Sequence, residues 1–375
     1  MDNQIKINQK DLYTALGMLN HVIPSRTTMD ILKNVLIETA GEDRVFITGT
    51  DLRVMIKVSL KAVVSGVFQW ALPANLLTSI VGTLSGEITM RLSIKNNVML
   101  MVDKFESLLP TASAEDYPNT NIFGRELNGI VMDGADLFDM IKRVEFAALE
   151  VEERPILNSI NFDFNGNMLS LVATDGIRLA VAMKMGERHD TKSFLIPVDA
   201  VRVLARAIVM AKAENVKVGY IPDAEGRLYF DCGDVQVATL LVSGKYPNYM
   251  GIIPGGFITR VVFNREALMK ACNQATIVAR ESDKAGAFWI RKNIATIDVE
   301  SRGAGEMRIM LDCNQTGDDI TILLHVPNLK EAIGVFRSQE VAFEFNGEKK
   351  PVIIRGLGKE DENYFYVTTP MSRGK

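Results

Sequence analysis

Two short segments combine side chains that could perform acid–base or phosphate chemistry. Thr50-Asp51-Leu52-Arg53 and Thr174-Asp175-Gly176-Ile177-Arg178 each bring a hydroxyl, a carboxylate and a guanidinium together. Such a set could move a proton or hold an anion. The set occurs twice at an offset of 124 to 125 residues, however, and one active site rarely appears in two structural copies. Because an Asp near a Gly at a strand end is typical of a turn, we interpret both segments as turns.

Other chemical sites have little support in the sequence. The three histidines, His21, His189 and His325, lack the i, i+4 spacing of a helical metal pair and have no cysteine at ligand spacing. No Cys-x-x-Cys, Gly-x-Ser-x-Gly or Walker A pattern occurs, and Ser243-Gly244-Lys245 lacks the upstream glycine of a phosphate loop. We therefore predict no catalytic residue, no metal and no cofactor. Carboxylates that meet only in three dimensions leave an enzyme as an open alternative.

The composition is that of a globular protein in a reducing compartment. The chain has 375 residues, of which 47% are apolar and 23% charged, and its 42 basic against 46 acidic residues give a net charge of -4. This excludes a wholly disordered chain and a strongly basic nucleic-acid-binding protein. The sequence predicts a cytoplasmic protein with no membrane partner. Its three cysteines are odd in number and widely spaced, its N-terminus is polar, and it has no run of 18 apolar residues.

Longer segments also repeat, which indicates that the chain is built from copies of one domain. Residues 31–36 (ILKNVL) return as residues 156–161 (ILNSIN), an offset of 125. Asp-Tyr-Pro-Asn at 116–119 returns as Lys-Tyr-Pro-Asn at 245–248, an offset of 129. Because these landmarks and the Thr-Asp segments keep their order and nearly their spacing, we predict tandem structural repeats.

Apolar residues at helical spacing extend the repeat to a third copy. A buried face at i, i+4 and i+7 predicts a first helix in each repeat, at Leu12/Leu16/Leu19, Leu137/Ile141/Val144 and Leu268/Cys272/Ala275. A second helix follows in each repeat, at Leu77/Ile80/Leu84, Val201/Leu204/Ile208 and Leu329/Ala332/Phe336. Pro73 and Pro197 stand near the start of that second helix, where a missing N–H costs nothing.

Between the helices the sequence predicts short strands and tight turns. The predicted strands are β-branched and bounded by turn residues, and they include residues 45–48, 54–58, 169–173 and 320–324. Asn165-Gly166 and Asn346-Gly347 are typical hairpin dipeptides. Each third therefore holds about two helices and several strands, an α+β pattern. We predict three similar domains with helices packed on mixed or antiparallel sheet, at residues 1–124, 125–255 and 256–375.

Basic residues recur on the predicted helices although the whole chain is acidic. Arg202 and Arg206 lie at i, i+4 and so share one helix face, and Lys330 falls at the repeat position of Arg202. The full set comprises Arg26, Lys142, Arg143, Arg202, Arg206, Lys270, Arg280, Lys330 and Arg337. A surface of this kind would bind phosphates without sequence preference and with a strong dependence on salt. The alternative is that these residues form ordinary solvated helix faces.

The order of these motifs resembles one known family. Four segments are similar to segments of the bacterial sliding clamp, the beta subunit of DNA polymerase III: residues 114–118 (AEDYP), 174–179 (TDGIRL), 244–249 (GKYPNY) and the late Pro370-Met371. The resemblance extends from about Ile5 to Met371. It implies that two chains join head to tail into a ring of six domains, with helices lining the hole and a layer of sheet outside.

The resemblance also implies a non-catalytic function in DNA replication. In that family the ring encircles duplex DNA and tethers the polymerase, so that synthesis becomes processive. The implied partners are double-stranded DNA, bound without sequence preference, a second copy of the chain, the catalytic subunit of DNA polymerase III, the clamp loader, and other polymerases and repair proteins with clamp-binding peptides.

Site residues are implied by the resemblance only at matching positions. The family's groove between the middle and last domains accepts a short peptide with apolar anchors, and it is similar here to Leu157, Thr174, Gly176, Arg178, Leu179, Pro247, Ile252, Val367, Pro370 and Met371. Thr174 and Arg178 would orient the peptide backbone. For Leu157, Leu179 and Val367 the alternative is ordinary core.

The resemblance further implies a ring contact between the first domain of one chain and the last domain of its neighbour. The apolar residues at that contact would be Phe105, Leu109, Ile277 and Val278, for which strand and helix core is again the alternative. Arg26 matches a family position near the duplex.

Two other functions remain open from the sequence. A repeat scaffold could bind proteins or DNA without encircling anything, and it would then be a monomer whose DNA binding depends strongly on salt. A hydrolase or transferase could have its site where two repeats meet, and it would act on a substrate without partners. We rank the ring-shaped clamp first.

Overall fold

A computed structural model describes residues 3–93, 97–124, 128–220, 226–279, 284–301, 303 and 305–372. The chain divides into two compact units. The first unit comprises residues 1–138 and 199–241, and the second comprises residues 139–198 and 242–375. The predicted middle domain therefore contributes strands to both units.

The described residues contain six α-helices, two in each predicted third of the chain. They are α1 (Gln9–Leu19), α2 (Ala74–Val81), α3 (Gly134–Val144), α4 (Val198–Ala211), α5 (Arg265–Ala279) and α6 (Val326–Val335). All nine residues of the three predicted first-helix faces are buried, which confirms those helices. None of these helices is long and apolar enough to cross a membrane.

The helix ends follow from local sequence. The Asn8 side chain accepts a hydrogen bond from the Lys10 N–H and caps α1, and His325 Nδ1 accepts one from the Asn328 N–H and caps α6. Pro73 and Pro197 directly precede α2 and α4, as predicted. Phe336 is buried but lies just beyond α6, so the predicted face is longer than the helix.

The strands of the first unit form one antiparallel sheet. They are β1 (Gln4–Asn8), β2 (Asn34–Thr39), β3 (Arg44–Thr50), β4 (Val54–Ser65), β5 (Gln69–Pro73), β6 (Glu87–Leu92), β7 (Val98–Val102), β8 (Phe105–Leu109), β9 (Asn128–Asp133), β12 (Asn215–Tyr220), β13 (Arg227–Asp231) and β14 (Val235–Leu240). Their main order is β8-β7-β6-β1-β4-β14-β13-β12-β9, and β3 joins β2 and β5 to β4. Helices α1 and α2 pack on each other, and α1 also packs on this sheet.

The second unit contains two antiparallel sheets. Its strands are β10 (Ser159–Thr174), β11 (Arg178–Pro197), β15 (Thr259–Asn264), β16 (Ala285–Arg291), β17 (Ile294–Ser301), β18 (Gly305–Asp312), β19 (Asn314–Thr316), β20 (Ile320–His325), β21 (Glu340–Phe345), β22 (Val352–Gly356) and β23 (Tyr364–Thr368). One sheet has the order β10-β11-β23-β22-β21-β15-β19, and the other has the order β18-β17-β16-β20. Helices α5 and α6 pack on each other.

Consecutive repeats are joined by strand pairing. In the first unit β4 of the first repeat pairs with β14 of the middle repeat, and we call this the first junction. In the second unit β11 of the middle repeat pairs with β23 of the last repeat, and we call this the second junction. Each junction is therefore part of a continuous, hydrogen-bonded sheet.

The predicted strands are confirmed, but one predicted hairpin turn is wrong. Asn346-Gly347 lies between the paired strands β21 and β22, as expected, and Gly347 has φ +117°. Asn165-Gly166 instead lies inside β10, where the pairing with β11 shifts register on both sides of Gly166. Gly166 adopts φ +64°, so the flexibility of glycine is used for a bulge in a long strand rather than for a chain reversal.

Candidate functional site

The two Thr-Asp segments form the same hydrogen-bonded turn, one at each junction. Thr50 Oγ1 donates to the Val54 carbonyl at 2.8 Å, and Thr174 Oγ1 donates to the Arg178 carbonyl at 2.5 Å. Asp51 Oδ1 accepts from the backbone N–H groups two and three residues later, and Asp175 Oδ1 does the same. These carboxylates therefore stabilise the turn, which confirms the structural interpretation of both motifs.

The turn geometry corrects the alignment of the two motifs. The residue after the Asp has a left-handed backbone in both copies, with φ 77° at Leu52 and 93° at Gly176. The residue that accepts the Thr hydroxyl is Val54 in one copy and Arg178 in the other. Arg178 is thus the counterpart of Val54 and not of Arg53, so the guanidinium at this position is specific to the second junction.

A tyrosine holds the strand before each turn. The Tyr117 hydroxyl donates to the Thr48 carbonyl at 3.0 Å, and the Tyr246 hydroxyl donates to the Val172 carbonyl at 3.3 Å. Each acceptor lies two residues before the Thr of its turn. Burial raises the pKa of both phenols, which therefore stay protonated and act as donors.

Arg178 connects the turn of the second junction to two other elements. Its Nε donates to Asp175 Oδ2 at 2.9 Å, Nη1 donates to Glu331 Oε2 of α6 at 2.6 Å, and Nη2 donates to the Phe146 carbonyl at 2.6 Å. Burial alone lowers the pKa of Arg178, but the Glu331 hydrogen bond and the neighbouring negative charges outweigh it and raise that pKa. The guanidinium is thus held in one orientation, with two N–H groups not used by these three bonds.

The floor of the candidate groove is a buried apolar cluster. Leu179 on β11 lies opposite Val367 on β23, which in turn lies opposite Ile353 on β22. All three belong to one cluster with Tyr246. Leu179 and Val367 are therefore core residues beneath the surface, as the alternative interpretation predicted. Ile353 is not among the groove residues that the sequence predicts, because β22 contains no recognisable motif.

The remaining groove candidates lie around this floor with more exposure. Gly176, Pro247 and Ile252 are exposed, Leu157, Pro370 and Met371 are half-buried, and Thr174 is buried within its turn. The Met371 N–H donates to the Leu323 carbonyl at 2.8 Å and ties the end of the described chain to β20. All of these candidates belong to the second unit.

The predicted basic surface needs one correction, at Arg143. Its side chain is only 5% exposed, its Nη1 donates to Asp361 Oδ1 at 2.6 Å, and its Nε donates to Asp139 Oδ2 at 2.8 Å. Burial alone raises the pKa of Asp361, but hydrogen bonds from Ser338 and Arg143 outweigh it and lower that pKa. Arg143 therefore forms a buried structural ion pair. Helical periodicity does not predict this pair, because Asp361 is distant in sequence.

The other basic candidates are exposed or half-exposed. Arg26, Lys142, Arg206, Lys270 and Arg337 are exposed, and Arg202 and Lys330 are half-buried. Three of the set are paired with acids: Lys142 with Glu145, Arg202 with Asp199 and Arg337 with Asp139. Arg280 lies outside the described residues. The set thus retains solvent-facing cations in both units.

The apolar residues proposed for the ring contact also need correction. Leu109 is fully buried and Val278 nearly so, which means that neither side chain can form part of a surface patch. Phe105 and Ile277 are exposed as predicted, and Leu108 is 48% exposed beside Leu109. In a strand, neighbouring residues face opposite sides, so the outward position on β8 is Leu108.

Burial affects two of the cysteines and one histidine. Burial raises the pKa of Cys272 to about 12 and that of Cys313 to about 11, so these thiols are not thiolates near neutrality. Burial and the charges of Lys284 and Arg178 lower the pKa of His325, which serves as the cap of α6. No group of three or more potential metal ligands occurs among the residues that the structure describes.

Three family models match consecutive parts of the chain. The N-terminal domain of the DNA polymerase III beta subunit matches residues 3–121, its central domain matches residues 132–248, and its C-terminal domain matches residues 250–372. The models follow the order of the three repeats.

Similar proteins cover nearly the whole chain. The beta sliding clamp of Synechococcus elongatus is 25% identical over 357 residues, which are 93% of this chain and 94% of that protein, and the one from Haemophilus influenzae is 25% identical over 98% of this chain and 99% of its own length. The crystal structure of the Bacillus subtilis sliding clamp superposes with a TM-score of 0.91 at 21% identity and full coverage of both chains. This chain belongs to the family of the DNA polymerase III beta subunit, the bacterial DNA sliding clamps.

Proposed function

We propose that two copies of this chain close head to tail into a ring around duplex DNA and bind polymerases and repair proteins by short peptides at the second junction. The observation that carries the proposal is the triple repeat, since the three domain models of the family match three successive parts of the chain. Two such chains supply the six domains of the family's ring. This function needs no catalytic residue.

The ring contact has support in two end strands. Within the described residues, β8 ends the sheet of the first unit and β18 ends the smaller sheet of the second unit. An end strand presents unpaired N–H and C=O groups that can pair with another chain. Phe105 and Leu108, which lie on opposite faces of β8, are both exposed apolar residues on this end strand. Pairing of β8 with β18 of a second copy would join the first domain of one chain to the last domain of the other.

The DNA contact has support in the exposed cations. Arg26, Arg206 and Lys270 are exposed, and the charge of Arg206 lowers the pKa of His21, which lies just after α1, although burial is the larger cause. Contacts of this kind act on phosphates, carry no sequence information and weaken with salt. Retention on DNA would then come from closure of the ring rather than from affinity.

Peptide binding has support in the geometry of the second junction. The buried Leu179, Val367 and Ile353 belong to one apolar cluster, and the exposed Pro247 and Ile252 are chain neighbours of Tyr246 and Ile253, which belong to it or pack on it. Arg178 is fixed by its three bonds, so its orientation does not have to be ordered when a peptide binds. Apolar pockets with a few oriented polar groups are typical of peptide sites.

Retention on circular DNA tests the proposed function. The chain is loaded with its loader onto nicked circular DNA and washed with high salt before and after the circle is cut. Salt screens charge contacts but does not open a closed ring. We therefore expect the chain to survive the wash on the circle and to be lost after the cut.

The repeat scaffold is the outcome that would contradict this function. Loss from the circle and from the linear form alike, after loading has been verified at low salt, would leave only electrostatic binding. Light scattering then provides the second criterion, because a scaffold is a monomer and the ring is a dimer.

A further inference from the structure

We infer that Glu331 is an internal competitor for the guanidinium of Arg178, so that the second junction selects peptides with neutral polar residues and disfavours peptides with an acidic residue. Glu331 would thus be a specificity-determining residue of the peptide site. The inference rests on the proposed function, because it concerns the ligands of the same groove.

Glu331 reaches the second junction from the helix α6. It lies in the middle of that helix, and its Oε2 accepts a hydrogen bond from Arg178 Nη1 at 2.6 Å. Leu329, Ala332 and Ile333 of the same helix are buried. The backbone of α6 is therefore fixed by packing, while the Glu331 side chain extends to the surface.

The three partners of Arg178 differ in how easily a ligand could replace them. Asp175 is part of the turn, because its Oδ1 also accepts from the N–H groups of Ile177 and Arg178. Phe146 contributes a backbone carbonyl, and its ring centre lies 5.5 Å from the guanidinium carbon. The Glu331 side chain is 53% exposed, whereas that of Asp175 is 15% exposed. Glu331 is therefore the partner that a ligand could displace.

The ion pair of Arg178 and Glu331 lies beside the chain end that contributes to the candidate groove. Thr369 Oγ1 donates to the Ile177 carbonyl at 3.0 Å, and the Met371 N–H donates to a carbonyl of β20 at 2.8 Å. Because β20 leads directly into α6, the chain end and the ion pair connect the same turn to the same strand and helix. Ile177, in that turn, is 56% exposed and adds apolar surface there.

The charges at this ion pair disfavour a further carboxylate. Arg178 carries one positive charge and already donates to two carboxylates, those of Asp175 and Glu331. Lys284 is a further cation, whose charge lowers the pKa of His325 at the start of α6, although burial is the larger cause. Lys284 is exposed, however, so that water and salt screen its charge.

An acidic side chain of a peptide can meet Arg178 in two ways, and both cost free energy. It can displace Glu331, which breaks a short charged hydrogen bond to a nearly buried guanidinium. It can instead lie beside Glu331, where two like charges repel each other. A neutral amide or hydroxyl avoids the repulsion and can accept from an N–H group that the three bonds of Arg178 leave unused. Glu331 thus selects by an unfavourable interaction with the wrong ligand.

This selection would be specific to the second junction. At the first junction Met55, Ala238 and Tyr229 form the equivalent floor. Val54 there occupies the position that Arg178 occupies at the second junction. An aliphatic side chain offers no charge for which a carboxylate could compete.

The test compares pairs of fluorescein-labelled peptides in anisotropy titrations with the full chain. Both members of a pair copy a polymerase peptide with apolar anchors, and they differ only at one polar position beside an anchor, which is Asn in one and Asp in the other. One pair is made for each such position. For at least one pair we expect the unaltered protein to bind the Asn peptide at least about fivefold more tightly. In Glu331→Gln the Asp peptide of that pair should gain at least about fivefold in affinity, while the Asn peptide changes by less than about twofold.

Two further variants separate the charge of Glu331 from its packing. Glu331→Asp keeps a carboxylate on α6 and should retain the preference for the Asn peptide. Glu348→Gln is the matched control, because it removes the same charge from an exposed residue between β21 and β22 and should leave the ratio of the two affinities unchanged. The preference should also fall as the salt concentration rises, since salt screens the repulsion between exposed charges.

Equal affinity of the unaltered protein for the Asn and Asp peptides at every position would overturn the inference, and so would an unchanged ratio in Glu331→Gln. Failure of the proposed function gives a different result. In that case the unaltered protein and its variants bind neither member of any pair, which would overturn the peptide site and the inference together.

Discussion

The two junctions share one backbone frame and differ in the side chains placed on it. Each has a Thr-Asp turn, a tyrosine that holds the preceding strand, and a three-residue floor in equivalent ladder positions. The first junction carries Val54 at the position where the second carries Arg178, whose guanidinium donates a hydrogen bond to Glu331. A duplicated frame can therefore hold an aliphatic side chain at one copy and a mostly buried guanidinium at the other.

The features that the two junctions share are side chains that form hydrogen bonds with the backbone. The Thr and Asp side chains accept from or donate to main-chain atoms that would otherwise be unpaired at the end of a strand, so both copies need them. The turn's own hydrogen bonds do not use the side chain at the position that differs, which is Val54 in one copy and Arg178 in the other, because only the carbonyl of that residue accepts the Thr hydroxyl. Differences between the junctions are thus where specificity for a ligand can be encoded.

The largest expected effect is on the second junction. Deletion of residues 370–375 removes Pro370, Met371 and the bond from the Met371 N–H to the Leu323 carbonyl. We expect binding of a polymerase peptide to weaken at least about tenfold in a fluorescence titration, because the half-buried side chains at the groove are lost. Dimer formation, followed by light scattering, should not change. Deletion of residues 372–375 alone is the control, and an equal loss there would contradict the role of Pro370 and Met371.

A smaller effect is expected from the residue that distinguishes the two turns. Arg178→Met removes three hydrogen bonds from a nearly buried guanidinium, including that to Glu331. We expect the free energy of unfolding in urea to fall by about 2 to 3 kcal/mol, because charged hydrogen bonds are lost. Arg53→Met at the first junction should change it by less than about 0.5 kcal/mol, since Arg53 is exposed. Equal losses would show that the two arginines are equivalent after all.

The smallest effects should be alike at the two junctions. Tyr117→Phe and Tyr246→Phe each remove a hydroxyl that donates to the strand before a turn. We expect each to lower the free energy of unfolding by about 1 kcal/mol, with the larger loss for Tyr117, which also lies 3.3 Å from the Asn34 carbonyl. Chemical denaturation of both variants measures this. A negligible effect at one site only would mean that the frames are not equivalent.

Sequence patterns were sufficient where contacts are local or periodic. The faces of α1, α3 and α5, the strands and the Thr-Asp turns follow from residues close together in the chain. The errors concern partners distant in sequence. The sequence predicts Arg143 on a basic surface because it lies off the apolar face of its helix. In the fold its buried side chain forms an ion pair with Asp361, which is 218 residues away in the chain. The resemblance implies Leu109 at the ring contact, but its side chain faces the core from β8, and the neighbouring Leu108 is the exposed residue.

The sequence by itself determined the three repeats, the α+β class and the family, because apolar periodicity and turn chemistry are local and recur at a fixed spacing. Only the tertiary structure decided which cations are buried and which strand pairs with which across the repeats. Those outcomes depend on contacts between residues more than a hundred positions apart, such as Met55 with Ala238 and Arg143 with Asp361. No local pattern encodes such a contact, since it exists only when both strands or helices have taken their places in the fold.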